Sequence, residues 1–290
     1  MNQPFPTATE DVAAAAAHLT VTLQTTDPAY RVAYQDLDFL LREDMRPVRF
    51  QLELAKPDLL LREAGVLSTF VFYGSARIPS PEAAPAIVAT AGPGPGKAVA
   101  ERLAANARYY DEARRLARFA SEYGAATMNS HGREYVVCSG GGPSIMEAAN
   151  RGAADVGAPS IGLNIVLPHE QAPNPYVTPG LSFQFHYFAL RKMHFLLRAK
   201  AVAVFPGGFG TFDEMFELLT LIQTGKIAPM PVLLFGRDYW WRVVGWEALV
   251  EEGVISAGDL DLITWVETAE EAWDHVRAWY GAKAATAAAS

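Results

Sequence analysis

The chain has one cysteine, Cys138, in 290 residues. That excludes an internal disulfide framework and fits a reducing compartment. Positive charge is scarce: 24 Lys and Arg against 32 Asp and Glu give a formal net charge of -8. Such a balance disfavours nucleic acid as a partner. It leaves room for a small phosphorylated ligand, which needs only local positive charge. No apolar run is long enough to span a bilayer, and Met1 to Glu10 lacks the basic start of a secretory signal. A soluble, cytoplasmic protein with no membrane partner is expected. The six histidines show neither H-x-x-x-H nor H-E-x-x-H spacing, so no metal is expected. His186 and His194 read as packing residues.

What is present is an apolar chain, 50% hydrophobic, enough for a sizeable core. Residues 1–65 read as a helical N-terminal extension. "DVAAAAAHL" has alanine-driven propensity, and "YRVAYQDLDFLLRE" spaces apolar residues at helical intervals. The extension packs on the core or on a partner subunit, or its alanine run forms a loose arm. From "STFVFYGSAR" onward the pattern alternates. "FVFY" is a buried strand. "PSPEAAPAIVATAGPGPG" is a surface loop, and a long helix runs from Lys97 to Tyr123 with Gly124 as its C-cap. "EYVVCSGGGPSIMEAANRGA" is strand, glycine turn and helix, and "PSIGLNIVLP" is a strand. "LSFQFHYFALRKMHFLLRAK" passes from strand to helix, and "AVAVFPGGFGTFDEMFELLTLIQTGK" is again strand, turn and helix. "MPVLLFG" with "YWWRVVGWEALVEEG", and "LITWVE" with "AEEAWDHVRAWYGAK", add two strand–helix pairs. Strands alternating with helices predict an α/β, Rossmann-like, doubly wound and mostly parallel sheet with helices on both faces. One domain is expected over 66–282, with a frayed tail at 283–290.

Three turns follow apolar strands: Gly74-Ser75-Ala76-Arg77, Gly140-Gly141-Gly142-Pro143 and Gly207-Gly208-Phe209-Gly210-Thr211. The last two open helices. Glycines let backbone N–H groups approach an anion, and a helix N-terminus adds partial positive charge. The dinucleotide fingerprint G-x-G-x-x-G fails at Gly140, because Ile145 holds the third glycine position and Asn164 stands in place of a ribose-binding acid. A P-loop fails at "AGPGPGKAVA": Ala91 replaces its first glycine and Ala98 the magnesium-binding hydroxyl. A mononucleotide, or a phosphate plus sugar, fits better.

Thr211-x-x-Glu214 reads as a capping box, which alone would account for Glu214. Its other reading is chemical: a carboxylate beside the anion turn can stabilise a cationic sugar or activate water. Arg191-Lys192 interrupts the apolar flanks "HYFAL" and "MHFLL". An arginine so placed needs an anionic partner, either a protein carboxylate or a ligand phosphate.

These segments resemble the LONELY GUY (LOG) family, also called lysine decarboxylase-like. "PGGFGTFDE" fits its P-G-G-x-G-T-x-x-E signature, and "SGGGPSIMEAANRGA" its T-G-G-G-P-G-[IV]-M-E-A-A-N-[RK]-G-A segment. "FYGSAR", "GLNIVLPHEQAPNPY" and "FHYFALRKMHF" resemble a longer, mainly bacterial branch. The resemblance covers roughly residues 68–280. It implies a phosphoribohydrolase that splits AMP or cytokinin-type ribotides into free base and ribose 5-phosphate without a cofactor. Arg191 and Glu214 match the family's essential pair. Gly207, Gly208, Gly210 and Thr211 match its phosphate cradle, with Asp213 beside it. Gly74, Ser75, Gly141, Gly142, Glu170, Lys192 and Thr220 match further substrate contacts. It also implies a homodimer or larger homo-oligomer. Two departures bear on base specificity: Phe188-Ala189-Leu190 precedes Arg191, and Ser139 and Ser144 stand where Thr and Gly are usual. Lysine decarboxylation fits poorly, since it needs pyridoxal phosphate on a Schiff-base lysine. The rival is a non-catalytic nucleotide carrier, or a molybdenum-cofactor carrier, on the same fold.

Overall fold

The computed structural model describes residues 5–168 and 172–289, with side chains as far as 283. By its contacts the chain divides into two units, Met1–Leu52 and Glu53–Ser290. In the first unit, α1 (Ala8–Ala17) opens on a capping box in which Thr7 and Glu10 exchange hydrogen bonds. After α2 (Leu23–Thr26) the expected helix over 30–43 does not form as one piece. Single 3-10 turns at Pro28–Tyr30 and Ala33–Gln35 come first. Asp36 then caps the short α3 (Leu37–Leu40) by accepting from the Phe39 N–H at 3.2 Å. A capping residue in the middle of an apolar periodicity restarts the helix rather than extending it. The helix α4 (Arg46–Glu63) runs on into the second unit.

The second unit is a sheet of seven parallel strands among the described residues, in the order β4-β3-β2-β1-β5-β6-β7. These are β1 (Thr69–Tyr73), β2 (Val136–Ser139), β3 (Ser160–Ile165), β4 (Ser182–Phe185), β5 (Ala199–Val204), β6 (Val232–Phe235) and β7 (Thr264–Val266). Each neighbouring pair is parallel. β1 is buried along its whole length, as a central strand covered on both faces must be. Alternation sends Phe70 and Phe72 to one face, where they pack with Phe205, Phe235 and the alanine-rich sides of α7 (Arg108–Ala126) and α8 (Ile145–Ala154). It sends Tyr73 to the other, edge-on to Phe195 of α9 (Phe188–Leu197).

Four sequence expectations change. The segment between β1 and α7 is not bare loop but holds α5 (Ala84–Thr90) and α6 (Pro95–Ala105). The long helix from Lys97 breaks at Asn106-Ala107, where tighter bonds to Leu103 and Ala104 turn the chain so that Tyr109 and Tyr110 are buried. Gly124 lies inside α7 rather than at its end. Its missing side chain matters for another reason, because a Cβ there would sit 2.3 Å from the Glu134 carbonyl oxygen. After α10 (Phe209–Gln223) and β6, the expected single helix is two, α11 (Arg237–Val243) and α12 (Trp246–Glu251). Trp240 and Trp246 are both buried. Six residues apart on one helix they would point in divergent directions, and extended Val244 resolves the conflict. The closing helix α13 is Ala269–Ala289. No helix among the described residues is long and apolar enough to cross a membrane.

Sequence order along the sheet reverses between β1 and β5. Ligands of open parallel sheets bind outside the carboxyl ends of strands at such a point. The loops leaving β1 and β5 are tied together there by the Ser75 N–H, which donates to Pro206 O at 3.1 Å.

Candidate active site

The turn after β5 does not form the expected capping box. Gly208 is the N-cap of α10, three residues before Thr211, and no side chain caps the helix. Thr211 is buried, and its hydroxyl is turned toward Gly207: a Cβ on Gly207 would lie 2.1 Å from Oγ1. Among the described residues no acceptor takes the N–H groups of Phe209, Gly210 and Thr211. A helix entered through glycines thus keeps its first-turn donors open, which is the arrangement that takes an anion. A Cβ at Gly208 or Gly210 would meet nothing, so the approach to these donors is clear. Tyr239 of α11 donates its phenol to Gly207 O at 2.5 Å, holding that carbonyl away from the donors. Tyr239→Phe is expected to raise KM for a phosphorylated substrate about 5- to 10-fold at little cost in kcat. Steady-state kinetics and a melting curve check this together.

Glu214, freed from the cap, lies one turn deeper and accepts from Arg191 Nη1 at 3.0 Å. Arg191 is buried, and its Nε donates to Leu163 O at 2.6 Å. The anionic partner its apolar flanks demanded is thus, in this structure, a protein carboxylate. Burial pushes the Glu214 carboxyl up to about 7, against the opposing pull of the Arg191 charge; neighbouring Asp213 adds to the rise. Burial, reinforced by the Glu214 charge, also raises the Tyr73 phenol. Cys138 lies close to the pair, and burial pushes its thiol up, leaving it inert. Lys192 pairs with Asp213 at 3.0 Å and Glu217 at 3.1 Å. Burial, the largest single influence on Lys192, lowers its pKa, but those two acids together outweigh it and raise it.

The second glycine turn is built around a buried amide network. Ser139 Oγ donates to Asn150 Oδ1 at 2.7 Å and accepts the Gly141 N–H at 3.0 Å. Asn174 Nδ2 donates to Gly142 O and Asn150 Oδ1, and its N–H to Gly141 O. Gly141 has a φ of 72°, open to glycine at no cost. Ser144 carries a φ of 66° and donates its hydroxyl to Ile78 O, a local compensation for the glycine usual there. Gly140 is the closest approach to the pair: a Cβ would lie 2.6 Å from Arg191 Nη2 and 2.7 Å from Met146 Sδ. Gly140→Ala should therefore push the guanidinium off Glu214, lowering kcat/KM about tenfold or more while the protein still folds. Circular dichroism alongside kinetics checks it.

Of the other expected residues, Gly74 packs on Ile145, whose Cγ2 would be 2.6 Å from a Cβ. Ser75 bridges the two loops at the switch point. Asp213 is exposed beside Lys192. Thr220 is exposed, further along α10, and donates to Phe216 O of its own helix. Glu170 lies outside the described residues. His194 is buried with Nε2 3.2 Å from Glu53 O, as packing requires, whereas His186 is exposed, its ring against Tyr187. Sequence reasoning missed Tyr239, Asn150 and Asn174. It also missed Glu53, whose carboxylate accepts the His186 and Tyr187 N–H groups at 2.9 and 3.2 Å and so caps α9, the helix carrying Arg191. Asp58 holds the far end of α9 through Arg198 at 2.6 Å. An Asn on the inner face of α8 was the one available signal.

Comparison with known proteins agrees on the domain type. Residues 146–276 match the family model described as "Possible lysine decarboxylase". The sequence matches none of the curated proteins searched. Among solved structures, the molybdenum cofactor binding protein of the phototrophic bacterium Rippkaea orientalis is 15% identical, with a TM-score of 0.41 over 74% of this chain and 96% of that one. The Moco carrier protein of Chlamydomonas reinhardtii is 14% identical, with a TM-score of 0.44 over 74% of this chain and 98% of that one. The Arg191–Glu214 pair and the open turn before α10 fall inside the matched residues, and over 146–276 the chain carries a LOG-like domain of the "Possible lysine decarboxylase" family.

Proposed function

We propose that the protein is a nucleoside 5′-monophosphate phosphoribohydrolase that cleaves the base–ribose bond of AMP or a related ribotide. The observation that carries the reading is a largely buried carboxylate, held by a buried guanidinium, one helical turn from an open anion turn. Breaking an N-glycosidic bond leaves its electron pair on the base nitrogen and positive charge on the ribose. The departing base takes up a proton. Water bonds to the anomeric carbon and loses one. Ionised Glu214 either stabilises the cationic sugar or receives the water proton, and Arg191 fixes the carboxylate's position. The first-turn N–H groups of α10 grip the 5′-phosphate, so binding energy remote from the reacting bond positions the sugar.

Incubation with AMP, followed by chromatography for free adenine and ribose 5-phosphate, tests this directly. Equimolar release of both is expected. Tight binding of AMP with no release would overturn hydrolysis and favour a carrier; the Chlamydomonas protein is named a Moco carrier and the Rippkaea protein a molybdenum cofactor binding protein.

A further inference from the structure

The cations beside the anion turn are already neutralised. Arg191 is committed to Glu214, and Lys192 to Asp213 and Glu217. Two positive groups thus face three carboxylates. Even with Glu214 protonated the balance is no better than zero, and the α10 N-terminus adds only about half a charge. A phosphate monoester carries about -1.5 to -2 at pH 7. These groups alone leave it without net attraction. Some further positive charge at the crevice has to be uncommitted.

Arg77 meets that description. It belongs to the loop leaving β1, on one side of the switch point, and the loop is fixed on both sides of it. Ser75 ties it to the anion turn through Pro206 O at 3.1 Å and accepts the Arg77 N–H at 2.9 Å. Ile78 O accepts the Ser144 hydroxyl at the start of α8. The Arg77 side chain is exposed, and no carboxylate among the described residues pairs with it. Elsewhere in this unit Arg114, Arg115, Arg118 and Arg198 each have a carboxylate partner. We propose that Arg77 is a ligand-binding residue that contacts the phosphate and supplies the uncompensated charge the site otherwise lacks. This rests on the phosphorylated-ligand half of the proposed function and is independent of hydrolysis.

Calorimetric titration of the full chain with ribose 5-phosphate, and separately with adenosine, tests it. Arg77→Gln should weaken ribose 5-phosphate about 10- to 100-fold and leave adenosine unchanged. Arg77→Lys keeps the charge but loses the planar fork, and should recover only part of that loss. Should the Gln variant fail to fold, the Lys variant decides alone: it must weaken ribose 5-phosphate and spare adenosine. Unchanged affinity for ribose 5-phosphate, or an equal loss for adenosine, would overturn the proposal. So would a wild-type protein that binds neither ribose 5-phosphate nor inorganic phosphate. A wild type that binds ribose 5-phosphate without releasing adenine from AMP sinks hydrolysis alone, and Arg77 is then judged on the variant titrations.

Discussion

Glu214→Gln is expected to lower kcat on AMP by about 10²- to 10⁴-fold, the span of a positioned acid–base group, with KM within a few-fold of wild type. The amide keeps the shape of the carboxyl group and can still accept from Arg191, so the change removes charge rather than architecture. The pH dependence supplies the sign. Burial holds the Glu214 carboxyl near 7, far above its ordinary 4.5. Below that value it is mostly protonated and can neither stabilise a cation nor take a proton. Wild-type kcat/KM should therefore rise with pH through about 7 and level off above it, and the Gln variant should lack that limb. Stability must move the other way. A carboxyl with a raised folded-state pKa contributes stability that is full below 4.5 and lost as pH rises through about 7. The loss is on the order of 3 kcal/mol. At pH 5 Gln mimics the protonated acid, so the two proteins should unfold alike. At pH 8 the variant should be the more stable one, by denaturant titration. A variant inactive yet equally pH-sensitive in stability would place the buried titration elsewhere.

How much of this was legible in the sequence depends on how local each determinant is. Strand, glycine turn and helix follow one another within a few residues at Phe72–Arg77, Cys138–Ile145 and Val204–Thr211, so backbone preference and apolar patterning suffice to place them. Arg191 could be singled out because its neighbours are apolar, and the demand for an anion followed. Its actual partner could not, because Glu214 is 23 residues away and the pairing exists only once α9 and α10 lie side by side. The misplaced cap is instructive. Thr-x-x-Glu satisfies a capping box in spacing, but Gly207-Gly208 lets the helix begin three residues earlier, which carries Thr211 inside and Glu214 to its largely buried position beside Arg191. Glu53 is the extreme case: it caps α9 from 133 residues away, from a segment that reads only as an N-terminal helix. Tyr239 likewise reaches the anion turn across 32 residues. Side chains that support a site from another element carry no local signature, because what selects them is the finished topology.

Removal of the 5′-phosphate should be the most damaging change to the substrate: kcat/KM for adenosine is expected to fall at least about 10³-fold below that for AMP. The estimate follows from the donors at hand. Among the described residues three first-turn N–H groups of α10 lack acceptors, and a hydrogen bond to a charged acceptor contributes about 1.5–3 kcal/mol. Two or three such bonds amount to about 3–9 kcal/mol, and with Arg77 offsetting the negative side chains nearby they reach the ~4 kcal/mol that a thousandfold requires. How the loss divides is itself informative. If the phosphate merely tethers the substrate, KM rises and kcat survives. If the tether sets the anomeric carbon against Glu214, kcat falls as well, since a truncated substrate loses positioning and not only affinity. The depth of Glu214, one turn beyond the open donors and buried against Arg191, favours the second outcome, because a sugar not anchored at its phosphate has no other group on α10 to align it. Adding free inorganic phosphate with adenosine should restore part of kcat. Equal turnover of adenosine and AMP would mean that the turn before α10 is a structural feature and that the carboxylate works without it.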